Sequence, residues 1–140
     1  MDTTEILIQL RQIMRSINHE SKRVEKDYGV SIPQVLCLKY LKESPQFQAS
    51  QNDLRHFLKL TSSTMNGIIE RLENKGLIAR LPKMGDKRKV LLILTSKGDR
   101  LITSLPPLLE DRLTKNLENL DREKIAEIKS NLDFLSQLMG

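Results

Sequence analysis

Apolar residues recur along most of this chain at every third or fourth position, the spacing that gathers them on one face of a helix. Ile6, Leu7, Leu10, Ile13, Met14 and Ile17 mark such a stripe in residues 4–26, and Asp27-Tyr28-Gly29 closes it. Ser31 caps a second helix, with Pro33 in the first turn, where its missing N–H costs little, and Val35, Leu36, Leu38 and Leu41 along its length. Ser50 or Asn52 starts a short third helix carrying Leu54, Phe57 and Leu58. After Leu60 comes Thr61, a further cap, and then the best-specified helix of the chain. Met65, Ile68, Ile69 and Leu72 form its stripe, and Gly76 stops it just after Lys75.

The period then changes. Residues 77–81, LIARL, read as a short strand, and 90–94, VLLIL, as the strand that returns beside it. Near-continuous apolarity in the second strand predicts burial on both of its faces. Thr95 or Ser96 caps another helix bearing Leu101, Ile102, Leu105, Leu108, Leu109 and Leu113, with Pro106-Pro107 inside the stripe. A mid-helix proline costs about 3 kcal/mol, so a kink or a break is expected there. Asp121 caps the last helix, whose stripe is Ile125, Ile128, Leu132, Leu135 and Leu138. The order is four helices, a hairpin and two helices. Residues 51–59 and 62–75, with only Leu60-Thr61 between their patterns, read as a helix-turn-helix. A hairpin directly after it makes the fold class mainly α, a winged helix-turn-helix with a two-stranded β-hairpin wing.

Composition narrows the function. A chain of 140 residues suits one domain with a modest core. Its longest apolar run is VLLIL, far short of the roughly 20 residues a membrane-spanning helix needs. The start lacks a basic stretch before an apolar one, so no secretion signal is expected there. A single cysteine, Cys37, allows no internal disulfide and fits a reducing cytoplasm. Between Arg55 and Arg100 lie eleven basic and four acidic side chains, a net of +7, whereas the rest of the chain holds twelve and fourteen, a net of −2. Positive charge concentrated in the central third draws in a polyanion.

The helix at 62–75 would meet that polyanion with its start. If Met65, Ile68, Ile69 and Leu72 face the core, Ser62, Ser63 and Asn66 are presented on the other side, at the end where a recognition helix enters the major groove. Asn66 can pair bidentately with adenine, and the serines can bond base edges or phosphate. These same residue types also serve ordinary helix starts. Gly67 costs about 1 kcal/mol in mid-helix relative to alanine. Either DNA or the preceding helix approaching closely would account for it. Arg71 and Lys59 are phosphate-contact candidates, and Glu70 and Glu73 should point sideways. The segment KMGDKRK at 83–89 places Lys83, Lys87, Arg88 and Lys89 at or beside the hairpin tip, where a cation can enter the minor groove. Gly85 permits the turn, and Asp86 fixes its shape by pairing with an arginine or accepting backbone N–H groups.

Asp86-Lys87-Arg88, followed by Leu94-Thr95 and Gly98, resembles the Asp-x-Arg wing and the Leu-Thr-x-x-Gly helix start of the MarR family of winged-helix transcriptional regulators. Thr64–Gly76, TMNGIIERLENKG, followed by Leu77-Ile78, is similar to that family's recognition helix and its exit, and length and element order fit along the whole chain. The resemblance implies a homodimer on a pseudo-palindromic double-stranded DNA operator, with Asp86 orienting the wing, Arg88 as its arginine and Lys87 near the tip. It divides the chain into a DNA-binding part at 31–97 and a helical dimerisation part at 1–26 and 98–140. The exposed stripes expected of a monomer in those terminal helices agree with this.

The resemblance leaves room for a small effector, often aromatic or phenolic in this family. Tyr28, Tyr40, His19, Arg15 and Met14 are candidate contributors, although they form no recognisable constellation. Peroxide-sensing relatives carry a reactive cysteine in the first helix, where this chain has none, and Cys37 reads as a small buried residue. Two histidines and no cluster with ligand spacing predict no metal site and no cofactor. No nucleophile–base pair or phosphate-cradling loop points to an enzyme. The function expected is a sequence-specific transcriptional regulator, a repressor that an effector releases. The alternative is an architectural or protein-binding winged helix with non-specific DNA affinity.

Overall fold

The computed structural model describes residues 2–82 and 90–140. They form two compact units, Met1–Leu105 and Pro106–Gly140. The first contains α1 (Asp2–Tyr28), α2 (Ile32–Glu43), a single 3-10 turn (Pro45–Phe47), β1 (Gln48–Ser50), α3 (Gln51–Leu58), α4 (Ser62–Asn74), β2 (Ile78–Pro82), β3 (Val90–Leu94) and α5 (Ser96–Ser104). The second contains α6 (Leu109–Glu118) and α7 (Arg122–Leu138).

Helix starts follow the capping residues. Ser31, Ser50, Thr61, Thr95 and Asp121 each accept a backbone N–H three residues on, each such cap contributing about 1 kcal/mol. At Ser31 the cap is reciprocal, because the Gln34 side chain accepts from the Ser31 N–H at 3.2 Å. Among the described residues Gln34 is the one polar residue in the core, and Lys75 satisfies it further by donating to its Oε1 at 3.0 Å. Of the two candidate starts for α3, Ser50 is the cap, and Thr95 is the cap of α5.

The core of the first unit is built from α2, α3, α4 and the sheet. Val30, Val35, Cys37, Leu38, Leu41, Leu54, Met65, Ile69, Leu72 and Leu92 are all nearly or fully buried, each worth roughly 1.5–3 kcal/mol for its larger side chains. The sheet has three antiparallel strands in the order β1-β3-β2. Pairing runs from Ile78 opposite Leu94 to Pro82 opposite Val90, so the segment 83–89 connects neighbouring strand ends. The expected hairpin is present, and β1 adds a third strand through pairing of Ala49 with Leu92. Expected burial of β3 on both faces is corrected: Leu92 and Leu94 are buried while Val90, Leu91 and Ile93 stay partly exposed. A three-stranded sheet packed by helices on one side leaves its other face to solvent.

A dense joint fixes the hairpin to α4. Gly76, with φ +75, ends the helix in a Schellman motif, its N–H bonded to the Glu73 carbonyl and the Leu77 N–H to that of Leu72. Thr95 Oγ1 donates to the Gly76 carbonyl at 2.7 Å and accepts from the Gly98 N–H at 3.1 Å. A Cβ at Gly98 would lie 2.2 Å from the Leu77 carbonyl oxygen and 2.7 Å from Leu94 Cδ1, so only glycine fits. This is the physical content of Leu94-Thr95-x-x-Gly98. Proline breaks the next helical stripe outright: α5 ends at Ser104, Leu105 is extended as pre-proline residues tend to be, and α6 starts at Leu109.

Candidate nucleic-acid interface

The start of α4 is an exposed polar end on a buried stem. Met65, Ile68, Ile69 and Leu72 are buried, as their spacing requires, which turns Ser62, Ser63 and Asn66 outward. Thr61 Oγ1 accepts from the Thr64 N–H at 3.2 Å and donates to Thr64 Oγ1 at 3.1 Å, so both threonine hydroxyls serve the cap. Ser62 and Ser63 occupy the first two helical positions, where helix geometry provides no intrahelical acceptor for the amide N–H. Two hydroxyls and two outward N–H groups at the positive end of a helix dipole suit a phosphate or a base edge.

Gln51 was not singled out by sequence reasoning. It sits at the first position of α3 and donates through Nε2 to Asn66 Oδ1 on α4. Gln51 and Ser62 also border one concave surface of about 710 Å³, with Ser50, Arg55, Val90 and Leu91 among its other walls. That concavity runs from the start of α4 to the foot of the β2–β3 connection. No periodicity marks Gln51, and only the packing of α3 against α4 brings it to Asn66.

The structure removes one of the two explanations for Gly67. A Cβ there meets nothing within 4 Å among the described residues, so the preceding helix does not require a glycine. At about 100° per residue, Gly67 and Ser63 lie opposite the buried stripe. The bare backbone therefore faces outward. Glu73 lies to the side as expected, paired with Arg80 Nε at 3.2 Å. Glu70 does not: it is exposed on the same outer side as Gly67, because its position is one turn beyond Asn66 and Gly67.

The positive charge of the central third is partly spent on structure. Lys75 donates to the Gly29 carbonyl at 2.6 Å, and Lys97 to the Lys75 carbonyl at 2.8 Å, at the C-terminal end of α4. Arg80 is held by Glu73. Lys59, in the left-handed conformation after α3, and Arg71 remain exposed. Arg71 stands apart from Ser62, Ser63 and Asn66, roughly 7 Å along the axis from Asn66, and shares a shallow depression with Glu25 and Ser31. Lys83, Gly85, Asp86, Lys87, Arg88 and Lys89 lie outside the described residues.

The effector candidates are not brought together. Met14, Arg15 and His19 line a shallow groove on α1 alone. Tyr40 packs on Phe57 with ring centroids 4.8 Å apart. Tyr28 lines a depression of about 430 Å³ with Leu77, Leu101 and the cations Lys75, Lys97 and Arg100. Cys37 is buried, and burial pushes its thiol up to about 12. Among the described residues no group of three His, Cys, Asp or Glu could hold a metal ion, and no helix is long and apolar enough to cross a membrane.

Known proteins place this arrangement. The profile of the MarR family matches residues 30–90, from the end of α1 to the first residue of β3. Over this segment the chain resembles the MarR family. The HTH-type transcriptional regulator FarR of Neisseria gonorrhoeae is 34% identical over 86 residues, a match covering 61% of this chain and 59% of FarR. The transcriptional repressor YetL of Bacillus subtilis is 24% identical over 135 residues, 96% of this chain and 81% of YetL. In structure, the chain is similar to S. aureus MepR in its DNA complex, with a TM-score of 0.73, 23% identity and coverage of 93% and 95%. A MarR family regulator from Streptomyces coelicolor, also in complex with DNA, has a TM-score of 0.76 at 19% identity, covering 99% of this chain and 87% of that one. These likenesses show the winged-helix fold.

Proposed function

We propose that this chain is a member of the MarR family, a sequence-specific regulator of transcription that binds double-stranded DNA as a homodimer, and that it represses. The observation that carries this reading is the exposed Ser62-Ser63-Asn66 end of α4, held outward by a fully buried stripe and followed by a bare backbone at Gly67. Such an end fits the major groove, with Asn66 against a base and the Ser62 and Ser63 amides and hydroxyls against base or phosphate. Arg71 and Lys59 flank it as phosphate contacts. Lys87 and Arg88 reach the adjacent minor groove from the β2–β3 connection, with Asp86 setting that connection's shape. The names of FarR and YetL as transcriptional regulator and repressor support the same role.

Residues 31–97 carry the DNA contacts, and 1–26 with 98–140 carry dimerisation. Support for the second part comes from α1 and α7, where Ile6, Leu7, Ile13, Ile17, Leu132 and Leu138 are exposed. A second copy covers these stripes and sets two recognition helices on a pseudo-palindrome. The depression at Tyr28, ringed by Lys75, Lys97 and Arg100, suits a small anionic aromatic effector that releases the operator. The reading places the protein in the cytoplasm with its DNA and assigns it no catalytic step.

Fluorescence anisotropy at about 0.15 M salt tests the proposal, using the DNA upstream of the protein's own gene and a scrambled duplex of equal length. Specific regulators bind their sites at least about 10³-fold more tightly than random duplex. Equal affinity for both duplexes, collapsing as salt rises, favours the architectural alternative.

A further inference from the structure

Asn66 does not stand alone on the outer surface of α4. Gln51, fifteen residues earlier and at the start of α3, donates to its Oδ1. A free asparagine amide can rotate to exchange its oxygen and nitrogen, which reverses the order of acceptor and donor it offers. Donation from Gln51 favours the order in which Oδ1 is turned toward α3. Oδ1 has a second lone pair to offer, and Nδ2 keeps both of its N–H groups.

We propose that Gln51 is a specificity-determining residue that acts through Asn66, locking the amide so that one base pair of the site is read as A·T rather than G·C. The inference rests on α4 being the DNA-reading helix. Its chemistry is a matter of matching groups. Adenine offers an N6–H donor beside the N7 acceptor, which an ordered acceptor–donor amide satisfies with two bonds. Guanine offers O6 and N7, two acceptors, and a fixed Oδ1 would then face O6 with no proton between them. An unlocked amide avoids this conflict by pivoting until Nδ2 alone donates to O6 or N7 and Oδ1 is turned away from the base. Gln51 is a positioning residue in this scheme, and its effect is read in base preference rather than in overall affinity.

The test uses the full-length protein and a binding site selected from random duplex, with each base pair changed in turn. Relative affinities are measured for wild type, Gln51→Ala, Asn66→Ala and the double variant. Wild type should prefer A·T at one pair by roughly 5- to 150-fold, the range a good bidentate contact gives. Gln51→Ala should lose much of that preference at the same pair and at no other. The double variant should lose no more than Asn66→Ala alone, because both act through one amide.

Gln51→Glu gives a second handle. A carboxylate at this position accepts only, so it draws Asn66 Nδ2 to its side and reverses the amide. The preference at that pair should then shift away from A·T, while preferences elsewhere are kept. If Asn66→Ala relaxes one pair and both Gln51 variants leave it as in wild type, the coupling is overturned and the DNA-reading role survives. If wild type distinguishes no base pair at all, the DNA-reading role fails and this inference falls with it.

Discussion

The segment from Val30 to Leu94 and the helices α1, α6 and α7 solve the same problem in opposite ways. In the first, apolar stripes meet one another: α2, α4 and β3 bury Leu38, Leu41, Met65, Ile69, Leu72 and Leu92 almost completely. In the second, stripes of equal clarity stay open, with Leu7 59% and Leu132 57% exposed. Periodicity alone does not distinguish the two regions. What differs is whether the chain itself supplies the opposing surface. A region with its partner inside holds a rigid shape, and exposed stripes of this extent suit a covering molecule.

Two glycines sharpen the same contrast. Gly98 lies where backbone and side chains already fill the space, whereas Gly67 lies where nothing does. The largest expected effect is Gly98→Ala, which forces a methyl group into the Leu77 carbonyl and Leu94. Loss of about 3 kcal/mol or more of stability is expected, read by urea denaturation. A small loss there would mean that the joint between β3 and α5 yields easily, and the rigid side of the comparison would fail.

Next in size is the effect of charging the open stripes. Leu7→Asp combined with Leu132→Asp should convert the dimer to monomer in analytical ultracentrifugation while the helical circular dichroism signal is retained. The same change should weaken operator binding by about tenfold or more, because two half-sites are no longer engaged together. A protein that stays dimeric would place the interface elsewhere.

Arg88→Ala should weaken operator binding by about 1–3 kcal/mol with the dimer and unfolding midpoint unchanged. Unfolding caused by this variant would make Arg88 structural. Gly67→Ala separates binding from folding by sign. It should raise stability by up to about 1 kcal/mol, since alanine favours helix and meets no neighbour, yet weaken DNA binding by crowding the outward backbone. Stability and affinity rising together would remove the close approach from the account.

The smallest effect concerns Cys37. Its thiol is raised in the fold from 9.0 to about 12, so the folded state holds its proton where the unfolded chain has lost it. The associated stability is therefore complete below about pH 9 and falls as pH rises from there toward 12. Cys37→Ser should flatten this alkaline decline, measured as the unfolding midpoint against pH.

Much of the fold was legible because it rests on local signals. Caps at Ser31, Thr61 and Asp121, the glycine stop at Gly76 and the stripe of α4 each depend on residues within one or two turns. The tandem prolines announced the break between α5 and α6 for the same reason. β1 was not legible, since Gln48-Ala49-Ser50 has no strand pattern of its own and exists through pairing with β3. Burial of β3 was overestimated because an apolar run does not reveal how many layers will pack against it.

The site divides along the same line. Ser62, Ser63 and Asn66 follow from helix geometry once the buried stripe is known. Gln51 depends on a contact across fifteen residues, and Lys75 and Lys97 turn back onto backbone carbonyls, so net charge overstated the free positive surface. Glu70 on the outer side was legible from the same stripe, one turn beyond Asn66 and Gly67, and was misplaced because repulsion from phosphate was allowed to outweigh helix geometry.

The most direct test of the central claim is selection by the purified protein from a pool of random duplexes at about 0.15 M salt, followed by sequencing of the retained DNA. The account predicts enrichment of one pseudo-palindromic sequence, bound at least about 10³-fold more tightly than the starting pool. Retained DNA with the same base composition as the pool, released uniformly by added salt, would contradict it.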